Sequence, residues 1–599
     1  MSQNRLYCVT AVLLLIGLLL PGQATAQDPT AAESVHERQN WDRFRIERQI
    51  QQATSPMPGV QVTSPQLPPP DIDGASHQKI FKLHQVIFEP VPRAVPKAEL
   101  EAVAIRYIAM EAVSIYDLYS MVVEIDGLFD KRHVLGRAGL PVQDVDNGVV
   151  TVQILEGRET GRTISNKVSS FLNDTGSTPA MFRRLGNSFV QRQFRFSGNP
   201  TFNLQNLEEE ILRYNRTFRS RLAAEIEPGA DLGDCTLKLT RLLPQPVSGG
   251  YFVDNSGRET SGRIRQGVYM NLLDILGANE SFFISYDKTE GTTALYMQGD
   301  VPVTRFGTFL DMSYYSGEPK TISGATTVLN INGTSEQYRP GVRQILVNQK
   351  EQRLDATLYY QNYDSKTFFD TALTYAEKHD AWTVGLEYSR RKAKSALFAG
   401  MSLVAGEAST TAPIPAGYVD SGFCLMKLNL MKVWYPTDKW TFILRGNGNA
   451  SFSELPQSQF FQIGGMATVR GTPEAFMSGD SGYLTVAEAR RVIWRGSDTS
   501  SDSPGRCDAL IGYIRKDWRH HSRAEIFTFI DHGGVFSRDS DVSGLFLSSV
   551  GAGATVNLGR HCSLSGGYGQ PIFTEGARFD AYREQLRHGN VFFTARASF

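Results

Sequence analysis

A single arginine, Arg470, stands in the glycine-rich stretch GGMATVRGTPEAFMSGDSGY (Gly464–Tyr483), with strand-forming sequence on either side. A guanidinium presents a planar fork that grips a carboxylate at two points, so such a residue has a role to play only if an acid faces it. The other chemistry-bearing residues point nowhere in particular. His520 and His521 are adjacent and would face opposite sides of a strand, and with His532 they complete no ligand spacing. A solvated basic turn including Arg515, Lys516, Arg519 and Arg523 is the simpler reading. Gly551-Ala552-Gly553 lies in alternating sequence with no following lysine, which suits small strand residues better than a phosphate cradle. Neither a G-x-S-x-G elbow nor an H-E-x-x-H pair occurs, so no enzyme is expected; the residual alternative is a barrel phospholipase with its triad scattered over strands. The five cysteines, Cys8, Cys235, Cys424, Cys507 and Cys562, show no C-x-x-C spacing, and no metal or cofactor is expected. With 61 Lys+Arg against 62 Asp+Glu, there is no basic field to attract nucleic acid.

Positioning Arg470 is the task of a chain of 599 residues, too long for one ordinary domain unless part of it is a large closed barrel. Residues 1–26 read as a secretory signal: Arg5, an apolar run ending at Leu20, then Ala24-Thr25-Ala26 before Gln27. Cys8 leaves with it. No other run is long and apolar enough for a membrane helix, so an exported chain is either soluble or crosses a membrane as strands. Residues 27–54 form a polar helix whose apolar points, Trp41, Phe44 and Ile50, are too sparse for it to fold alone. Residues 55–77 are a proline-rich extended linker.

From Gln78 the pattern changes to two small α+β modules, over 78–160 and 161–246. In the first, KIFKLHQVIF and VVTVQILEG read as strands and VPKAELEAVAIRYIAMEAV and SIYDLYSMVVEIDGLF as helices. In the second, a loop-like insertion around NDTGSTPAMFRRLGNS precedes the helix FNLQNLEEEILRYN and the strand CTLKLTRLL. Paired modules with strand edges suit peptide capture by strand addition.

From Val247 to Phe599 strands follow one another. Trp382, Val384, Leu386 and Tyr388 alternate with Thr383, Gly385, Glu387 and Ser389, and Leu354, Ala356, Leu358 and Tyr360 alternate with Asp355, Thr357, Tyr359 and Gln361. A β-sandwich also alternates, but GNVFFTARASF, an amphipathic strand with a terminal aromatic, resembles the end of an outer-membrane barrel. The stretch holds about sixteen membrane strands at roughly ten residues each with their turns.

At these residues the chain resembles a family, the outer-membrane transporters of two-partner secretion, which export haemolysins and adhesins. LPVQDVDNGVVTVQILEG (Leu140–Gly157) and FNLQNLEEEILRYN with Pro228, Gly229 and Gly233 are similar to the signatures of polypeptide-transport-associated (POTRA) domains. VDNSGRETSGRIR resembles the family's first barrel hairpin, with Asp254, Asn255, Gly257 and Gly262 in register. Arg132-His133 stand where relatives carry a glycine and an aromatic, and the connection around 495–523 is longer than usual.

The resemblance implies a 16-stranded antiparallel transmembrane β-barrel with two POTRA domains and an N-terminal plug helix, and a loop over 462–482 folded into the barrel. Val469-Arg470-Gly471 matches the loop-tip motif and FIDHGG, with Phe529, Asp531 and Gly533, matches the barrel-wall motif; the family implies that Arg470 pairs with Asp531. Thr472 replaces a frequent aromatic, which implies weaker stacking at the tip. It further implies a monomer in the Gram-negative outer membrane with periplasmic POTRA domains, contact with lipid, recognition by the barrel-assembly machinery through the strand ending at Phe599, and a large, β-helical secreted exoprotein as substrate. The alternatives are a barrel-assembly insertase, which generally has more POTRA modules, and a passive porin, which needs none.

Overall fold

A computed structural model describes residues 28–54, 62–63, 80–168, 180–194, 203–231, 233–324, 327–411, 421–496, 521–537, 544–575 and 586–599. The expected signal, most of the linker, Cys507, His520 and most of the 495–523 connection lie outside these. The chain divides into two compact units, one comprising residues 1–56, 246–273 and 280–599 and the other 57–245 with 274–279.

In the first unit sixteen antiparallel strands, from Val247–Asp254 to Asn590–Ser598, close into a barrel. The first strand pairs with the last from Gly250 opposite Ser598 to Asp254 opposite Thr594, and Phe599 exchanges backbone hydrogen bonds with Gly249 (2.9 and 3.3 Å). The alternation has a physical sense here. Trp382, Val384 and Leu386 face outward, whereas Thr383 and Gly385 are buried inside; on Gln352–Phe369, Leu358 faces out and Thr357 and Gln361 face in. Closure leaves no unpaired strand edge, the condition for a sheet whose outer face meets hydrocarbon. None of the described helices is long and apolar enough to cross a membrane.

The barrel is filled from its own chain. Helix α1 (Pro29–Thr54) lies within it, its first turn capped by the Asp28 carboxylate, which accepts from the Ala31 amide (2.8 Å). Its thin apolar stripe finds two docking points. Trp41 stacks on Tyr296 and meets Phe252 and Phe283 edge-on, and Ile50 packs with Ala396, Met431, Val433 and Ile443. Between the strands Trp440–Ser451 and Ser481–Arg495 the chain turns inward through Gln457–Gln459 and a ribbon that pairs Phe461–Ile463 with Met477–Gly479. The in-folded segment is thus 452–480 rather than 462–482. Small and polar residues at both ends hide the boundary in sequence, and Gly482 already sits in the wall opposite Asn449.

The second unit holds two α+β modules. In the first, helices Lys97–Ile108 and Ile115–Lys131 pack on the sheet Gln85–Glu89, Val149–Glu156 and Gly136–Gly139 through Leu100, Met121, Ile125, Phe129, Val150 and Val152. Ser114 and Asp117 close a capping box on the second helix, and Arg132 at its other end grips Glu99 on the first with two hydrogen bonds (2.9 and 2.6 Å). The second module starts at Arg158, not at residue 161: Arg158–Val168 pairs in parallel with Asp234–Leu243, so its sheet claims these residues. The insertion read as a loop is helical over Ala180–Gln193, because Phe189, Val190 and Phe194 complete the core around Ile211 and Leu239. The linker contributes a strand as well, Val62–Thr63, parallel to Ala224–Glu225 at the sheet's edge.

Candidate functional site

Strand register assembles the site. Phe529 and Asp531 are two apart on Arg523–Phe536 and so share the inward face. On the neighbouring strand Val486 stands opposite Asp531 and Glu488 opposite Phe529. Gly533 continues this face without a side chain, and an added Cβ would come within 3.1 Å of the Tyr483 carbonyl and 3.3 Å of Ile463 on the loop. Val469, with Ile463, Met477, Leu484 and Leu547, forms the apolar base under the tip. Gly471 has φ +86°, and a Cβ there would stand 2.3 Å from the backbone of Gly569 on the next wall strand but one. Only glycine permits that approach.

Over this base Arg470 meets the wall. Its Nε donates to Asp531 Oδ2 (2.8 Å) and its Nη2 to Oδ1 (2.7 Å), while its backbone N–H also donates to Oδ2 (3.0 Å). The guanidinium lies 3.6 Å above the Phe529 ring, and Nη1 reaches Glu488 (2.5 Å), which is shared with Arg490 (2.5 Å). Asp531 is fully buried. Two carboxylates and an aromatic face therefore surround one guanidinium, each of them favouring its charge. Leaving one partner of such a buried set unpaired costs about 3–5 kcal/mol. Thr472 does not stack; its hydroxyl donates to Val469 O (2.7 Å) and accepts from the Gly465 amide (3.1 Å), closing the tip with hydrogen bonds.

The sequence profile of the family described as haemolysin secretion/activation proteins ShlB/FhaC/HecB matches residues 233–489, a stretch that includes the tip motif. Over that stretch the chain is similar to this family. The outer membrane transporter CdiB of Dickeya dadantii is 28% identical over 155 residues, 26% of this chain and 25% of that protein. CdiB of Escherichia coli O6:K15:H31 is 22% identical over 376 residues, 60% of each chain. The chain thus spans between a quarter and about 60% of the length of these relatives. The solved CdiB from Escherichia coli shares the fold, with a TM-score of 0.60 at 17% identity, covering 96% of this chain and all of that one.

Sequence reasoning missed Glu488, although its place two residues after Val486 in an alternating strand marks it as inward-facing. It also missed the charges that seat α1. Arg43 bonds Asp254 (3.0 Å), Arg265 bonds Asp254 (3.0 Å) and Glu37 (3.2 Å), and Glu33 lies 3.4 Å from Arg258. Arg43 reaches Thr594 as well (3.4 Å), and Glu47 takes Arg596 on the last strand (2.5 Å). Asp254, noted for its place in the first hairpin, is thus the acid on which helix and wall converge. His532 sits not in a solvated turn but in the wall, between the Tyr483 hydroxyl (2.8 Å) and Ser548 (2.7 Å), because its strand runs through it unbroken. Cys235, Cys424 and Cys562 are free thiols.

Proposed function

We propose that this chain is an export pore: two POTRA modules capture an unfolded secreted protein in the periplasm, and the barrel passes it to the cell surface. The observation that carries the reading is a closed barrel whose lumen is occupied by the chain's own helix and loop, both held largely by charged and polar contacts. Such contacts can be exchanged for water, so their loss frees a path without exposing a large apolar core.

Capture by strand addition is supported by the second module itself. Ala224–Glu225 already accept Val62–Thr63 as an added parallel strand, so that edge is competent to bind extended chain. The substrate that fits is a large exoprotein of β-helical repeats, entering unfolded and folding outside. Its folding beyond the membrane supplies direction, since the chain carries no nucleotide-binding motif. The working unit is a monomer, with lipid on its outer face and the strand ending at Phe599 as the barrel-assembly signal. A passive porin accounts for the barrel but leaves the modules without a task. The test is export of a secreted exoprotein produced together with this chain in the same cells. Arg470→Ala in an inserted barrel abolishes or sharply reduces it on this reading, and undiminished export would refute a role for the Arg470–Asp531 pair in export.

A further inference from the structure

Glu377 and His379 lie two apart on the inward face of Ala372–Lys392, both fully buried, on the eighth of the sixteen strands; Asp531 is on the thirteenth. Ser458, in the turn at the root of the in-folded loop, donates its hydroxyl to Glu377, and its backbone N–H faces the other carboxylate oxygen (3.4 Å). Tyr375 also donates to Glu377 (3.1 Å). His379 Nε2 faces the amide nitrogens of Gln361 (2.9 Å) and Gln459 (3.2 Å). Two donors there make Nε2 an acceptor and put the proton on Nδ1, which points at Ser458 Oγ (3.2 Å) and Glu377 Oε1 (3.4 Å). The set has the composition of a hydrolytic triad with the opposite polarity. A nucleophilic serine gives its proton to imidazole, whereas this one gives it to Glu377 and accepts from the imidazole.

The same turn holds α1. Arg38 donates to the Ser458 carbonyl (2.7 Å), and Tyr363, stacked on His379 at 4.9 Å, hydrogen-bonds Ser34 (2.9 Å). Ser458 is therefore gripped by the wall through its hydroxyl and by the helix through its carbonyl. We propose that Glu377 and His379 are positioning residues for gating, a second anchor separate from Arg470 that ties loop root and α1 to one wall strand so that both are released together. The proposal rests on the reading that helix and loop obstruct the pore.

Planar-bilayer conductance of the purified full chain tests it, with heat-modifiable gel migration reporting the folded barrel. Deleting residues 28–54 should open the channel; a deletion variant that stays closed would sink the plug reading itself. Glu377→Gln and Ser458→Ala should each raise the open fraction roughly tenfold, about 1.4 kcal/mol. Tyr363→Phe should open the parent but add little in the Ser458→Ala background, because both act on one node. The proposal is overturned if the deletion opens the channel while both folded single variants stay as closed as the parent, or if the Tyr363 and Ser458 effects are fully additive. Failure of both single variants to fold would overturn it too, making the pair an element of the wall rather than a gate.

Discussion

Arg470 gives up its hydration for two hydrogen bonds to Asp531, one to Glu488 and the face of Phe529, and each contact depends on the planar fork. Arg470→Lys keeps the charge but cannot bridge both Asp531 oxygens, so export should fall to a level between that of the parent and that of Arg470→Ala, as read by surface exoprotein. Equal export by the lysine variant and the parent would show that charge alone suffices. Gly471→Ala should lower the temperature at which the barrel loses heat-modifiable migration, because the left-handed conformation alone costs an L-residue about 1–2 kcal/mol and the Cβ meets Gly569. Legibility at this scale divides cleanly. Arg470 and Asp531 stand in recognisable motifs, so their partnership could be anticipated. Glu488 could not be assigned as a partner, because which inward acid meets a loop arginine depends on a register fixed by strands some forty residues apart.

At the scale of elements, the second helix of the first module offers a test free of the membrane. Ser114 donates to Asp117 and accepts from its amide, and these contacts hold the Asp117 carboxyl below its usual range. A lowered folded-state value means that the contribution is fully present above the unfolded value, near pH 4, and is lost as the pH falls through the folded one. Ser114→Ala should cost about 1 kcal/mol. In the fragment 57–245 that is a drop in Tm of about 2–4 °C at neutral pH, shrinking as the solution is acidified below pH 4. A difference independent of pH would show that the carboxylate plays no part. The module helices and barrel strands were legible from periodicity, since each has one apolar face. Ala180–Gln193 was not, because the polar run NDTGST before it and Gly186-Asn187-Ser188 in its middle resemble a loop, and the helix shows itself through the contacts of Phe189 and Val190 with the core. The seating of α1 was equally hidden: its charges look solvated until the wall supplies Arg258, Arg265, Asp254 and Arg596.

At the scale of the whole molecule, the chain divides into two compact units, and the proposed function places capture in one and passage in the other. The division predicts separable functions, since the barrel closes on itself by pairing its first and last strands and does not require the modules to complete its sheet. The broad plan, α+β modules followed by a barrel, was readable because alternation over many strands and the order of the motifs agree. Module boundaries were less so, since Arg158–Val168 follows the preceding strand almost without a break yet pairs with Asp234–Leu243. The most direct measurement is surface display of a co-produced exoprotein substrate by cells producing the chain without residues 78–243, with membrane insertion checked in the same cells. The expected result is an inserted barrel and no displayed exoprotein; display at the parental level would contradict it.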